Sequence, residues 1–398
     1  MIKIYCFGNL LVKDHYLHEG NMIKKPKITY IGSLTDDKRA LGFDDALKEA
    51  SVKHHPNFEK LLRNGLSIVL ILTLISSGIL LFNSFRGNQT SVYQSLDFRA
   101  FGLALLALLA SWAIETVRIW LIANGLGETI SLRKIFNINL ATTFIGNITP
   151  FSSGGVPTQI YLLCQNGIQP GKSSAIVTLR VILTTLLFTL VAPVLFIFYR
   201  ASFSVGLLRQ VTTVAIPVSV LVSVLLITFI IKPKLAKPVL TFPLKFIKSE
   251  RWLSKINPYL QKFLDEVEIF HQSVRQFRKG YNLILAILAT LLYWVCFFAI
   301  APCLISAFGL DGEGIFFKSV LIQFILIFII SYLPVPGGSG VMELGFFSMF
   351  AFIPAQIRAA LILIWRLLSY HLATFVGGVI LLKLIHRTER RPPEVTRG

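Results

Sequence analysis

The chain has 398 residues, of which 54% are hydrophobic and 15% charged, with a mean hydropathy of +0.68. Soluble domains carry about 25% charged residues, so a soluble globular fold is excluded and the sequence reads as an all-α polytopic membrane protein. Its 39 Lys and Arg against 20 Asp and Glu give a formal charge of +19; with this hydropathy, the excess points to anionic lipid and to no nucleic-acid partner. Cys6, Cys164, Cys296 and Cys303 show no paired spacing, so no metal site, cofactor or disulfide framework is expected.

Residues 1–65 are polar and hold 11 Lys and Arg. Within them FDDALKEASVKHHPNFEKLLRNG reads as an amphipathic surface helix leading into the membrane, and Met22 is an alternative start to Met1. A bilayer core of roughly 30 Å needs about 20 apolar residues as helix. Six stretches are long enough, near 66–85, 98–123, 173–199, 211–231, 281–308 and 356–385. Two others, 135–165 and 315–352, are interrupted at their midpoints by TPFSSGGVP (149–157) and LPVPGGSG (333–340). Proline removes a donor and glycine admits unusual dihedrals, so neither stretch continues as one helix.

The positive-inside rule tests how the broken stretches lie. If each is a re-entrant hairpin, the basic N-terminus is cytoplasmic and the 232–280 segment, with 11 Lys and Arg against four acids, is too. The HRTERR tail then falls on the same side, whereas a single crossing by either stretch would move one basic segment across. Two short crossings per stretch would also keep parity; the prolines and glycines favour hairpins. The expected organisation is a cytoplasmic segment 1–65 and a first membrane half 66–232 with its hairpin at 135–165, followed by a basic amphipathic cytoplasmic linker 233–280. A second half 281–385 carries the hairpin 315–352, and a basic cytoplasmic tail 386–398 closes the chain in an inner or plasma membrane. In the linker, Trp252, Phe263 and Phe270 among lysines fit a helix lying on an anionic leaflet.

The two broken stretches resemble each other. Each has proline and a Gly-Gly pair at the break (Gly154-Gly155, Gly337-Gly338), a polar residue after it (Gln159, Glu343), a short apolar half-helix, and a long helix with one arginine (Arg180, Arg366). With the topology above they enter from opposite sides, which makes about six transmembrane helices plus two re-entrant hairpins in an inverted repeat. That is a transporter design, because two related halves can exchange conformations around a central site. A duplicated scaffold whose breaks only relieve packing is the bland alternative. Broken backbone is tolerated in a bilayer only where protein or water covers it, so a cavity is expected at the breaks.

Charges inside apolar spans cost several kcal/mol, on the order of 3 in insertion scales, and mark partners or substrate paths. Glu115 and Arg118 stand at i,i+3, where they either neutralise each other or meet substrate. Arg180 and Arg366 have no opposite charge within a turn of their own helices and, with the half-helix ends at Gly154, Gly155 and Gly340, suit phosphate oxygens. Alternatively Arg366 pairs with Glu343 across the bundle. Glu343 itself could cap its half-helix, counter Arg366 or carry a proton. Asn147, with Asn137 and Asn139, could satisfy freed backbone groups or line a polar path.

At FIGNITPFSSGGVPTQIYLLCQNG, and at PVPGGSGVMELGFFSMF followed by IWRLLSYHLATFVGG, the chain resembles the lysylphosphatidylglycerol synthase transmembrane-region family, also called flippase-like membrane proteins, over roughly residues 60–385. Asn147, Pro150, Gly154, Gly155, Pro157 and Gln159 match the first motif; Pro336, Gly337, Gly338, Gly340, Glu343 and Arg366 match the second. The resemblance implies movement of a lipid with a charged or sugar-bearing head group between leaflets, with aminoacylated or anionic phospholipids and polyprenyl-phosphate-linked lipids as substrate classes. It also implies a lipid synthase or glycosyltransferase as partner. Some relatives carry a Gly-Glu and an Arg where this chain has Pro157 and Gln159. No aminoacyl-transferase domain follows, so lipid aminoacylation is not expected; a membrane head-group transferase and a non-transporting partner of a synthase are the competing readings.

Overall fold

The computed structural model describes residues 97–199, six positions between 217 and 228, 264–277, and 280–389 apart from 311, 313 and 332. All belong to the unit Glu59–Gly398. The expected spans 66–85 and, but for those six positions, 211–231 lie outside the described residues, as do the N-terminal segment and most of the linker.

The described residues are helical. In chain order they form α1 (Phe98–Gly125), α2 (Leu132–Ile148), α3 (Gly155–Cys164), α4 (Pro170–Tyr199), α5 (Asn282–Ala307), α6 (Ile315–Ile330), α7 (Val341–Met349), α8 (Ala355–Arg366) and α9 (Ala373–Glu389). A π-turn, Leu367–Leu372, joins α8 to α9. Four helical stretches are long and apolar enough to cross a bilayer: Phe98–Gly125, Pro170–Val191, Asn282–Ala307 and Ile357–Leu384. They match the spans expected near 98–123, 173–199, 281–308 and 356–385, and leucines on α1 and α5 such as Leu106 and Leu292 face outward, as lipid-facing side chains do.

Local chemistry explains the ends and interruptions. Asp97 caps α1 by accepting the Arg99 N–H at 2.8 Å, and α4 opens on Pro170, where a missing N–H costs nothing. Pro302 sits inside α5 and leaves the Phe298 carbonyl without its i+4 donor. The Gln323 side chain on α6 supplies that hydrogen bond at 2.8 Å, tying the two helices together.

Both broken stretches double back. A Cβ on Gly155 would lie 3.6 Å from the Gly146 Cα, so α3 folds closely along α2; one on Gly345 would lie 2.7 Å from a Leu326 methyl, so α7 folds along α6. Each break is a single 3-10 turn, Pro150–Ser152 in the first and Pro336–Gly338 in the second. The residue after the proline is left-handed in both: Phe151 at φ 55°, ψ 17° and Gly337 at φ 56°, ψ 13°. This match in the turn alone offers one alignment of the two stretches. Pro150 corresponds to Pro336, Gly154 to Gly340, Pro157 to Glu343 and Arg180 to Arg366, all 186 positions apart. At this spacing the Gly-Gly pairs fall out of step, and Pro157 rather than Gln159 takes the place of Glu343. The two breaks pack against one another, and α9 lies along α2.

The helix over 264–277 differs from the expected surface helix. Phe270, Val274 and Phe277 are buried among residues of α1, α2 and α4, and a Cβ on Gly125 would meet the Phe277 ring at 2.6 Å. Phe270 thus faces protein rather than a leaflet; Trp252 and Phe263 lie outside the described residues.

Candidate functional site

Among the described residues, two buried ion clusters lie within the helical bundle. The first joins α1 to α4. Arg118 Nη2 donates to Glu115 Oε1 at 2.7 Å and Arg180 Nη1 donates to the same oxygen at 3.0 Å. Arg118 Nη1 also donates to Thr184 Oγ1 at 3.1 Å and Thr290 Oγ1 at 3.4 Å, and its guanidinium lies 5.3 Å from the Tyr293 ring centroid. The i,i+3 spacing brings Glu115 and Arg118 together; Arg180 adds a second cation to the same carboxylate. Two guanidinium groups on one carboxylate leave this cluster one positive charge in excess. Arg180 is its accessible member, with its side chain 20% exposed against 3% for Arg118. Buried polar atoms there remain without a hydrogen-bond partner: Arg118 Nε, Arg180 Nε and Glu115 Oε2.

Beside this cluster lies a cavity of about 160 Å³ between α4, α5 and α6. Its wall includes Thr184, Thr185, Phe188 and Thr189 from α4, Trp294 from α5, and Ile327, Phe328 and Ser331 at the end of α6. Thr184 belongs to both: its oxygen accepts from Arg118 and its residue lines the cavity. The Trp294 Nε1–H is buried without an acceptor.

The second cluster closes on itself. Glu343 Oε1 accepts from Arg366 Nε at 2.8 Å, and Oε2 accepts from the Gly340 N–H at 2.6 Å. The carboxylate is thus both the α7 cap and the counter-ion, at the helix end where the dipole favours a negative charge. Arg366 Nη2 also donates to the Gly337 carbonyl at 3.3 Å, and the guanidinium lies 4.2 Å from the Tyr370 ring centroid. Of the two readings open for Arg366, the structure contains the ion pair with Glu343. Both side chains are at most 5% exposed, and their charges cancel.

Tyr370, carried by the π-turn, ties this cluster to the first break. Its hydroxyl donates to the Asn147 carbonyl at 3.1 Å, while Asn147 Nδ2 donates to Thr374 Oγ1 at 2.7 Å. The Tyr370 hydroxyl therefore satisfies a carbonyl freed at the end of α2, and the Asn147 amide clasps α2 to α9. A Cβ on Gly337 would run into the Tyr370 ring, and its positive φ excludes most other residues. Gly338 is buried against Ile330. Gly154 donates its N–H to Thr149 Oγ1 at 3.0 Å, while Gly155 is a packing contact with α2. Gln159 is fully buried in α3, and neither of its amide atoms has a hydrogen-bond partner.

Of the residues anticipated from sequence, Glu115, Arg118 and Arg180 come together in one group and Glu343, Arg366, Gly337, Gly340 and Asn147 in another, while Gly154, Gly155, Gly338 and Gln159 are turn, packing or buried positions. Sequence reasoning missed Thr184, Thr290, Tyr293, Trp294 and Tyr370. Only Thr184 carried a local signal, one turn beyond Arg180 on the same face.

The model of the lysylphosphatidylglycerol synthase transmembrane region matches residues 65–377, and the chain belongs to that family. It is similar to a UPF0104 membrane protein of Archaeoglobus fulgidus, 28% identical over 330 residues, which cover 78% of this chain and 94% of the relative. A UPF0104 membrane protein of Pyrococcus horikoshii is 23% identical over 339 residues, covering 81% of this chain and 97% of its own. No solved structure matches the chain. Family and apolar helices together identify a multi-pass membrane protein.

Proposed function

We propose that this protein moves a phosphate-bearing lipid between leaflets, its head group passing through the polar interior while the acyl chains stay in the bilayer. In this reading α2–α3 and α6–α7 are re-entrant hairpins of an inverted repeat. Six crossings place both termini on the cytoplasmic side of an inner or plasma membrane.

The observation that carries the reading is the uncompensated positive charge of Glu115, Arg118 and Arg180, which Thr184 links to the wall of a largely apolar cavity that also carries hydroxyls. A phosphodiester brings one negative charge, so its arrival makes the cluster neutral. Arg180, the exposed member, can turn toward the phosphate while Arg118 stays fixed by Glu115, Thr184 and Thr290. The fork of a guanidinium matches phosphate oxygens, and in a low-dielectric interior such charge-assisted bonds are strong.

The second cluster has a different part. Arg366 is neutralised by Glu343, bonded to the Gly337 carbonyl and covered by Tyr370, and acts as a structural pin instead of a phosphate ligand. The contacts from Tyr370 and Thr374 to Asn147 hold the two breaks together, and they part when the halves exchange conformations. The test is reconstitution of the full chain in liposomes holding fluorescent phosphatidylglycerol in one leaflet. The expected result is protein-dependent exchange between leaflets; exchange no faster than in protein-free liposomes would overturn the reading.

A further inference from the structure

The proposed transport leaves the head group unspecified, and the cavity beside Arg118 bears on that choice. Its space, about 160 Å³, has room for several water molecules, each of which needs about 10–15 Å³ of such volume. A phosphate with a small polar substituent fills such a volume.

The lining chemistry is one-sided. Thr184 accepts from Arg118 and so keeps its own hydroxyl proton to donate. Trp294 presents a buried indole N–H that no protein acceptor meets. Thr185 adds a second hydroxyl, and the rings of Phe188 and Trp294, 4.7 Å apart, supply an apolar wall. None of the described residues on this wall is acidic. Glu115, the carboxylate bonded to Arg118, is already shared between two arginines. A cationic substituent entering here would therefore meet an excess positive charge and no counter-ion.

Resting on the transport reading, we infer that this cavity is the head-group subsite and that it takes an anionic lipid phosphate with a compact, uncharged, hydroxyl-bearing substituent, and rejects an aminoacylated head group. Trp294 Nε1 and the Thr184 and Thr185 hydroxyls donate to the phosphate and its substituent. The excess charge of the cluster selects the net sign of the lipid.

Binding and transport are measured separately on the full chain, so that failure of one is not read as failure of the other. In detergent, the probes are short-chain phosphatidylglycerol, short-chain lysylphosphatidylglycerol and glycerol 3-phosphate. Phosphatidylglycerol is expected to bind at least about tenfold more tightly than the lysyl lipid, and Trp294→Phe to weaken it by about tenfold, the effect of losing one hydrogen bond to a charged group. Thr185→Glu, which puts a carboxylate into the cavity, is expected to reverse the preference between the two lipids. Each variant is compared at the wild-type melting temperature and elution volume. Equal binding of the lysyl lipid, or unchanged selectivity in both variants, would overturn the subsite. Glycerol 3-phosphate binding as tightly as the lipid would overturn a membrane source. Selective binding without leaflet exchange would leave the subsite standing and remove the transport reading.

Discussion

The two breaks share a left-handed turn after their proline, and the arginines that follow them are handled differently. In the second half the carboxylate is local: Glu343 caps α7 and binds Arg366 23 residues on, and Tyr370 closes over the pair. In the first half Pro157 stands where Glu343 would be, and Thr184 stands where Tyr370 would be. Arg180 therefore turns to α1, whose Glu115 already holds Arg118, and a hydroxyl beside a cavity takes the place of the covering ring. One substitution removes the partner and the other leaves room. A neutral, filled cluster holds structure; a charged, open one suits a ligand.

Removing one partner from the closed pair should have the largest effect. Glu343→Gln leaves the Arg366 charge buried and uncompensated, and a loss of about 3–5 kcal/mol in unfolding free energy is expected. Replacing both with methionine should recover most of it, because no orphan charge remains. Equal losses for single and double variants in denaturant unfolding would show that Arg366 finds compensation elsewhere.

The breaks offer a paired test of the shared register. Gly337→Ala places a methyl against Tyr370 at a positive φ, and a loss of about 2–3 kcal/mol is expected from overpacking and left-handed strain together. Phe151→Gly, at the corresponding position, relieves a left-handed non-glycine residue that is 55% exposed. It should be neutral or stabilise by up to about 1 kcal/mol, the left-handed penalty less the entropy of glycine. Opposite signs for the two variants support the register; a loss at Phe151 comparable with that at Gly337 would break it.

Much of this was legible in the chain. Proline and glycine marked both breaks, apolar length marked four described spans, and i,i+3 spacing joined Glu115 to Arg118. The register of the repeat was not, because eye-catching Gly-Gly pairs align differently from the dihedrals: left-handed residues are glycines in one break, Phe151 and Ser152 in the other. The Arg180–Glu115 pair spans 65 positions and the Tyr370–Asn147 contact 223, distances at which no local periodicity carries a signal. The π-turn that carries Tyr370 also has no sequence signature of its own; it is one more residue per turn, held by packing.

The central claim is that the first-half arginine serves the ligand while the second-half arginine serves the fold. Arg180→Gln measures it most directly, since removing Arg180 leaves Glu115 still paired with Arg118 and so leaves no buried charge without a partner. In liposomes with labelled phosphatidylglycerol, a folded Arg180→Gln protein is expected to exchange lipid no faster than protein-free vesicles. Exchange at the wild-type rate by this variant would contradict the account.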